Sequence, residues 1–198
     1  MNNNNSQGSL NQVESVAWAD FFSKEEVKQL NEYIESNYIE HEDSSKGAKD
    51  NEGNLKKNVS TVKIINYEAV EPILSRLVKH AYEITNMNFG YTTFGPFSGQ
   101  DLLYATYKSD SKDYYDWHMD AAKSTTYDVK MTLLINLSTE PYEGGEFQTW
   151  RYSGETHKGF SRPGSAFMFK SHILHKVTPV TSGTRKSLTM FIHGPKFT

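Results

Sequence analysis

The stretch Lys130-Met-Thr-Leu-Leu-Ile-Asn-Leu137 leaves this chain the least freedom. It is nearly continuously apolar and flanked by turn residues, the pattern of a strand covered on both faces. Such a strand needs neighbours, and the sequence supplies them. Gln100-Asp-Leu-Leu-Tyr-Ala-Thr-Tyr107 alternates and is aromatic, and residues 146–150, 165–169, 174–180 and 186–193 continue the series between Gly-, Pro- and Ser-rich turns. Strand character runs from Phe89 onward, with one earlier strand over 60–65.

Two helices precede most of these strands. Ser23 and Glu26 form a capping box, and Val27, Leu30 and Ile34 follow at helical spacing, which predicts a helix over 24–37. Val70, Ile73, Leu74, Leu77, Val78, Ala81 and Ile84 predict a second, amphipathic helix over 68–85, with Pro72 in its first turn, where a missing N–H costs nothing. His80 on that helix reads as a surface or capping residue. Two helices followed by about eight short strands predict a mainly β fold, with the N-terminal helices packed on a two-sheet barrel or jelly roll.

Residues 1–12 are polar and low in complexity, and are expected to be a disordered tail. The rest, 13–198, is expected to form one domain. Residues 40–58 are polar and poor in large apolar side chains. A loop of that length is either functional or a mobile, solvated connector. With 21 basic against 24 acidic residues, the charge balance argues against nucleic acid or an anionic membrane as partner. Cysteine is absent, so metal ligands must be His or carboxylate. Neither a secretory leader nor a membrane-spanning apolar run is recognisable, and a soluble, cytoplasmic protein is expected.

Chemistry concentrates in three short stretches: Trp117-His118-Met119-Asp120, Ile173-Leu174-His175-Lys176-Val177 and Gly183-Thr184-Arg185-Lys186-Ser187. On an extended strand His118 and Asp120 share a face and can reach one ion together. His175, from a distant strand, would complete a set of two imidazoles and one carboxylate, which suits ferrous iron and leaves coordination positions open. His172 is the rival for that third place. Arg185 and Ser187 would share a face on the following strand, and a planar guanidinium beside a hydroxyl suits a carboxylate held bidentately. A lone His-x-Asp is common, and read alone it is a surface loop or strand edge.

Taken together these stretches resemble the 2-oxoglutarate- and Fe(II)-dependent oxygenases, and in particular the prolyl-4-hydroxylase-like, or PKHD-type, hydroxylases. Glu143-Gly144-Gly145-Glu146-Phe147, Gly164-Ser165-Ala166-Phe167-Met168-Phe169 and the segment from His175 to Arg185 carry the likeness, which covers roughly residues 100–194. The resemblance implies a double-stranded β-helix and a dioxygenase that hydroxylates an unactivated C–H, most simply in a prolyl or related residue of a peptide or protein, or in an amino acid. Fe(II), 2-oxoglutarate and O2 would be required, with ascorbate as a reductant. It implies His118, Asp120 and His175 as metal ligands and Arg185 as counter-charge to the far carboxylate of 2-oxoglutarate, with Ser187 beside it. Tyr107, with Tyr104 as alternative, is expected to meet the cosubstrate, and Asn136 lies on the face that does so in the family, where either 2-oxoglutarate or the backbone must satisfy it; Tyr115, Trp117 and Trp150 are candidates for the substrate mouth, with core or rim packing the stronger reading for the two tryptophans. The collagen-type branch commonly has Lys where Arg185 stands, and the further Arg and Asn residues that the nucleic-acid demethylases carry after the distal His are missing from Lys186-Ser-Leu-Thr-Met-Phe-Ile. The alternative is a non-catalytic barrel of the same fold that binds a metal or small molecule.

Overall fold

The computed structural model describes residues 14–39, 41–42, 60–96, 99–121, 126–150 and 154–197. The tail over 1–12 and most of the 40–58 loop lie outside the described residues. Helix α1 (Lys24–Asn37) begins where the capping box predicts: Ser23 Oγ accepts from the Glu26 N–H at 3.2 Å, and Glu26 Oε2 accepts from the Ser23 N–H at 2.8 Å. Helix α2 (Tyr67–Asn88) is longer than its periodicity suggests, because Asn66 caps it one residue earlier and the apolar stripe stays buried to Thr85. The earlier start moves Pro72 into the second turn. The Glu68 carbonyl therefore loses its intrahelical donor, and since Glu68 and Pro72 are both exposed, water can replace it.

The described strands are β1 (Ser15–Trp18), β2 (His41–Glu42), β3 (Thr61–Asn66), β4 (Asp101–Lys108), β5 (Tyr115–His118), β6 (Asp128–Asn136), β7 (Glu143–Gly144), β8 (Phe147–Trp150), β9 (Gly154–Thr156), β10 (Ala166–Lys170), β11 (His175–Val177), β12 (Val180–Ser182) and β13 (Thr184–Gly194). The larger sheet runs β1-β10-β6-β13-β4-β3-β2, the smaller β5-β11-β8-β9, and β12 pairs with β7; every pairing is antiparallel. This is the mainly β architecture expected.

The near-continuous apolar run falls on β6, at the middle of the larger sheet between β10 and β13. Met131, Leu133 and Ile135 pack with Leu30, Ile34, Leu74 and Leu77 of the two helices, and Leu134 packs with Phe147, Phe167 and Phe169 on the other side. Both faces of β6 are covered, which is why it lacks polar alternation.

Three local expectations are corrected. The predicted strand over 174–180 is two strands, since β11 pairs with β5 and β8 whereas β12 pairs with β7. The break falls at Pro179, which has no N–H for a ladder and whose carbonyl accepts from Gly145 N–H at 3.0 Å. Described residues between Phe89 and Gln100 form no strand. Ser15–Trp18 extends the edge of the larger sheet, although it is too short to show a period.

A polar network ties α1 to the sheet. Glu35 Oε1 lies 2.8 Å from Lys186 Nζ and 2.9 Å from the Tyr104 hydroxyl, and Oε2 lies 3.1 Å from the buried Lys63 Nζ. Burial works against the Glu35 carboxylate, but the hydrogen bonds from Lys186, Tyr104 and Lys63 outweigh it and bring its pKa down to about 2. A depressed folded-state pKa means that the unfolded chain takes up the proton first. Stability from this network is therefore fully present above the ordinary value of 4.5 and lost as the pH falls towards about 2. Glu35→Gln should flatten the acid limb of the melting-temperature profile over that window, while lowering the melting temperature at neutral pH. An acid limb unchanged in the variant would remove Glu35 from the account.

Candidate metal centre

The two histidines meet because β5 and β11 pair in a register that sets His118 directly opposite His175. Their rings lie 4.1 Å apart. Strand β5 ends at His118, so Asp120 is not presented by a shared strand face as the spacing suggested. It is presented by the turn that follows, pinned where the Asp120 N–H donates to the Ser171 carbonyl at 3.0 Å. The outcome is a cluster whose three donor atoms all lie within 4.8 Å of one another. Asp120 Oδ1 is 3.5 Å from His118 Nε2, and Oδ2 is 3.4 Å from His175 Nε2.

Local contacts orient each ring. His118 Nδ1 lies 2.7 Å from the Asp116 carbonyl, and His175 Nδ1 lies 2.9 Å from the Ile173 carbonyl. A carbonyl can only accept, so in the neutral rings the proton sits on Nδ1 and the Nε2 lone pairs face the cluster. Tyr115 stacks on His118 with centroids 3.6 Å apart, and Phe169 meets His175 edge-on at 4.7 Å. Burial drives the His175 pKa down to about 4, with Asp120 opposing and His118 assisting, so at neutral pH it is an unprotonated donor. Burial also works against the Asp120 carboxylate, but the neighbouring His118, His175 and Thr132 outweigh it and lower its pKa. Two imidazoles and a carboxylate at these separations suit a divalent metal ion.

His172 sits exposed in the turn before β11 and takes no part in the cluster. His80 is exposed on α2, beside Glu83 and edge-on to Trp18.

Below the cluster lies a cavity of about 490 Å³, lined among others by His118, Asp120, His175, Tyr107 and Arg185. Arg185 is 2% exposed. Its Nη1 donates to Ser187 Oγ at 3.2 Å, and the guanidinium lies over the Tyr107 ring at 5.1 Å. Among the described residues no carboxylate pairs with it. A buried unpaired cation is costly, so a site of this kind is built for an anion. The Gly-Gly of the 143–147 motif belongs to the same construction: Gly145 has φ +58°, and a Cβ there would stand 2.9 Å from Arg185 Cδ. The glycine makes room for the arginine stem.

Register arranges the cavity in rows across β13, β4 and β3. Arg185 lies opposite Tyr107, Ser187 opposite Ala105 and then Val62, and Thr189 opposite Leu103 and then Ile64. The charge of Arg185 and the hydroxyls of Tyr107 and Ser187 thus occupy one end, and Leu103, Ile64 and Phe191, with Thr189 among them, line the other. The alternation of β13 carries this pattern in the sequence, but which face turns inward depends on the fold.

Other expected residues stand differently. The Tyr104 hydroxyl lies 2.6 Å from Asn31 Oδ1 in the helix-side core, so only Tyr107 of the pair reaches the cavity. Asn136 shares its strand face with Thr132 and Leu134, but its amide donates to the Phe160 carbonyl at 2.8 Å and its Oδ1 accepts from Ser138 N–H at 2.9 Å. The backbone satisfies it, and it does not line the cavity. Trp117 and Trp150 form an edge-to-face pair at 5.6 Å, with Lys176 Nζ over Trp117, and neither lines the cavity, whereas Tyr115 does.

Residues 102–193 match the model of the 2OG-Fe(II) oxygenase superfamily. A PKHD-type hydroxylase of Shewanella oneidensis is 26% identical over 180 residues, covering 86% of this chain and 74% of that protein. A PKHD-type hydroxylase of Idiomarina loihiensis is 34% identical over 77 residues, or 38% of this chain; that match spans only 35% of the relative's length. Among solved structures, a Pseudomonas putida prolyl-4-hydroxylase superposes with a TM-score of 0.69 at 16% identity, over 92% of this chain and 94% of that one. The viral collagen prolyl hydroxylase from Paramecium Bursaria Chlorella virus-1, in its 2OG complex, superposes with a TM-score of 0.63 at 17% identity, over 94% and 99% of the two chains. These likenesses establish a shared fold. The family implies Fe(II), 2-oxoglutarate and O2, and the His-Asp-His cluster fits the iron. Sequence match over residues 102–193, fold and donor set alike make this chain similar to the 2OG-Fe(II) oxygenase superfamily.

Proposed function

We propose that the chain is a 2-oxoglutarate-dependent dioxygenase that hydroxylates an unactivated C–H of a prolyl or related residue in a peptide or protein. In balance, R–H, 2-oxoglutarate and O2 give R–OH, succinate and CO2. The observation that carries this reading is the placement of a buried Arg185, with which no carboxylate among the described residues pairs, in the same cavity as the His118–Asp120–His175 cluster. A site built only to hold a metal has no use for that second group.

In this reading His118, Asp120 and His175 hold Fe(II), which supplies the oxygen chemistry when bound. Arg185 holds the far carboxylate of 2-oxoglutarate at the closed end, with Ser187 and Tyr107 beside it. Asn136 acts through the loop it braces at Phe160 and does not touch the cosubstrate. Tyr115 holds the His118 ring in plane. The apolar row of Leu103, Ile64 and Phe191 takes the uncharged part of the substrate and keeps water from the reacting carbon. Ascorbate as external reductant belongs to the same proposal, as does a soluble, cytoplasmic setting; among the described residues no helix is long and apolar enough to cross a membrane.

The test is anaerobic addition of 2-oxoglutarate to the Fe(II) protein, followed by air and a panel of proline-containing peptides and free amino acids. A metal-to-ligand charge-transfer band should appear on addition, and succinate release should rise with a peptide. Absence of both would leave a metal- or small-molecule-binding barrel in place of the enzyme.

A further inference from the structure

The Asp120 carboxylate is held by one side chain that no motif points to. Thr132 lies at the centre of β6, fully buried, opposite Phe169 on one neighbouring strand and Phe191 on the other. Its hydroxyl donates to Asp120 Oδ2 at 2.7 Å. Its two cross-strand neighbours on that face are phenylalanines, so a hydroxyl there would be costly to bury without this partner. The Asp120 main chain is anchored separately, its N–H donating to the carbonyl of Ser171, whose hydroxyl in turn donates to the Val129 carbonyl. The carboxylate is therefore fixed in position by the backbone and in rotation by Thr132.

We propose that Thr132 is a positioning residue that keeps Asp120 a single-oxygen ligand, so that the metal retains three open places. The inference rests on the assignment of His118, Asp120 and His175 as the ligands. Thr132 occupies Oδ2 and leaves Oδ1 to the ion. Two imidazoles and one carboxylate oxygen leave three of six positions open, enough for a two-point chelator and one further small ligand. A carboxylate free to rotate can bind through both oxygens and close one of them. The cosubstrate would still bind, but the remaining place would be lost. Thr132 thus acts on the number of open positions rather than on affinity for the metal.

Mn(II) reports that number directly, through the relaxation of exchanging water protons, with no turnover required. Wild-type protein loaded with Mn(II) should show the relaxivity of three exchangeable waters. Thr132→Val keeps the shape and removes the hydroxyl. Its relaxivity per bound ion should fall by about a third, and succinate formation by the Fe(II) form should fall at least about tenfold, as loss of an outer-shell partner typically brings. Affinity for 2-oxoglutarate should stay within about threefold, and Thr132→Ser should restore both relaxivity and turnover. Thr132→Ala serves the same purpose if the valine protein does not fold. Wild-type relaxivity and turnover in the valine or alanine variant overturns the proposal. So does a parallel loss of metal affinity and turnover with relaxivity per ion unchanged, which marks a purely structural threonine. If wild-type protein binds no Mn(II), Co(II) or Fe(II) at all, it is the ligand assignment that fails, and the inference with it.

Discussion

Arg185→Ala is expected to raise the apparent constant for 2-oxoglutarate at least about a hundredfold while leaving metal affinity nearly unchanged. The guanidinium is 2% exposed, and among the described residues it has a hydroxyl and aromatic rings around it but no carboxylate. Pairing with the far carboxylate of the cosubstrate would remove both charges from water together. Deleting one member of a buried pair strands the other and typically costs about 3–5 kcal/mol. Since each ~1.4 kcal/mol is a factor of ten, a hundredfold is the lower bound of that range. Arg185→Lys should recover only part of the loss, because an ammonium is a point charge and cannot make the bidentate fork. The measurement is a 2-oxoglutarate titration of anaerobic Fe(II) protein, followed through the charge-transfer band, with metal content determined on the same samples. An alanine variant that titrates like wild type would falsify the assignment of Arg185.

Asp120→Ala is expected to abolish both metal retention and turnover. Asp120 is the only acidic donor of the cluster, and it lies within 3.5 Å of both imidazoles. Without it two neutral rings face a divalent ion in a largely buried site, with no anion to offset its charge. Loss of an outer-shell partner alone typically costs about 10–100-fold in metal affinity, and loss of the charged ligand should exceed that. Some stability should also be lost, because the buried Thr132 hydroxyl is left without its acceptor. Metal analysis after dialysis, with circular dichroism on the same protein, separates the two effects. A folded variant that keeps a full complement of iron and its activity would show that the carboxylate is not a ligand.

How much of this was legible in the sequence follows from the range of the interactions involved. The Ser23 capping box, the stripe of Val27, Leu30 and Ile34, and the double-covered run on β6 are local patterns, and the structure keeps their positions to within a residue or two. His175, Arg185 and Ser187 could be singled out because their chemistry is unusual at that spacing, and the alternation of β13 does set Arg185 and Ser187 side by side. Chain spacing misjudged how Asp120 is presented. The turn after β5 is fixed by a hydrogen bond to Ser171, far along the chain, which strand geometry does not foretell.

What only the tertiary structure decided is pairing and sidedness. The choice of Tyr107 over Tyr104 depends on which face of β4 turns towards the helices, and both tyrosines are equally aromatic in the sequence. Asn136 looks like a cosubstrate contact until the fold brings the Phe160 carbonyl and Ser138 N–H to its amide. Thr132 is silent in the sequence, a single hydroxyl in an apolar run, and acquires a role only because Asp120 is brought against it. The sequence by itself determined the elements and the chemical inventory, since both are set by neighbouring residues. The partners of each buried polar group were decided by the register of β5 on β11 and of β6 on β13, contacts between residues far apart in the chain.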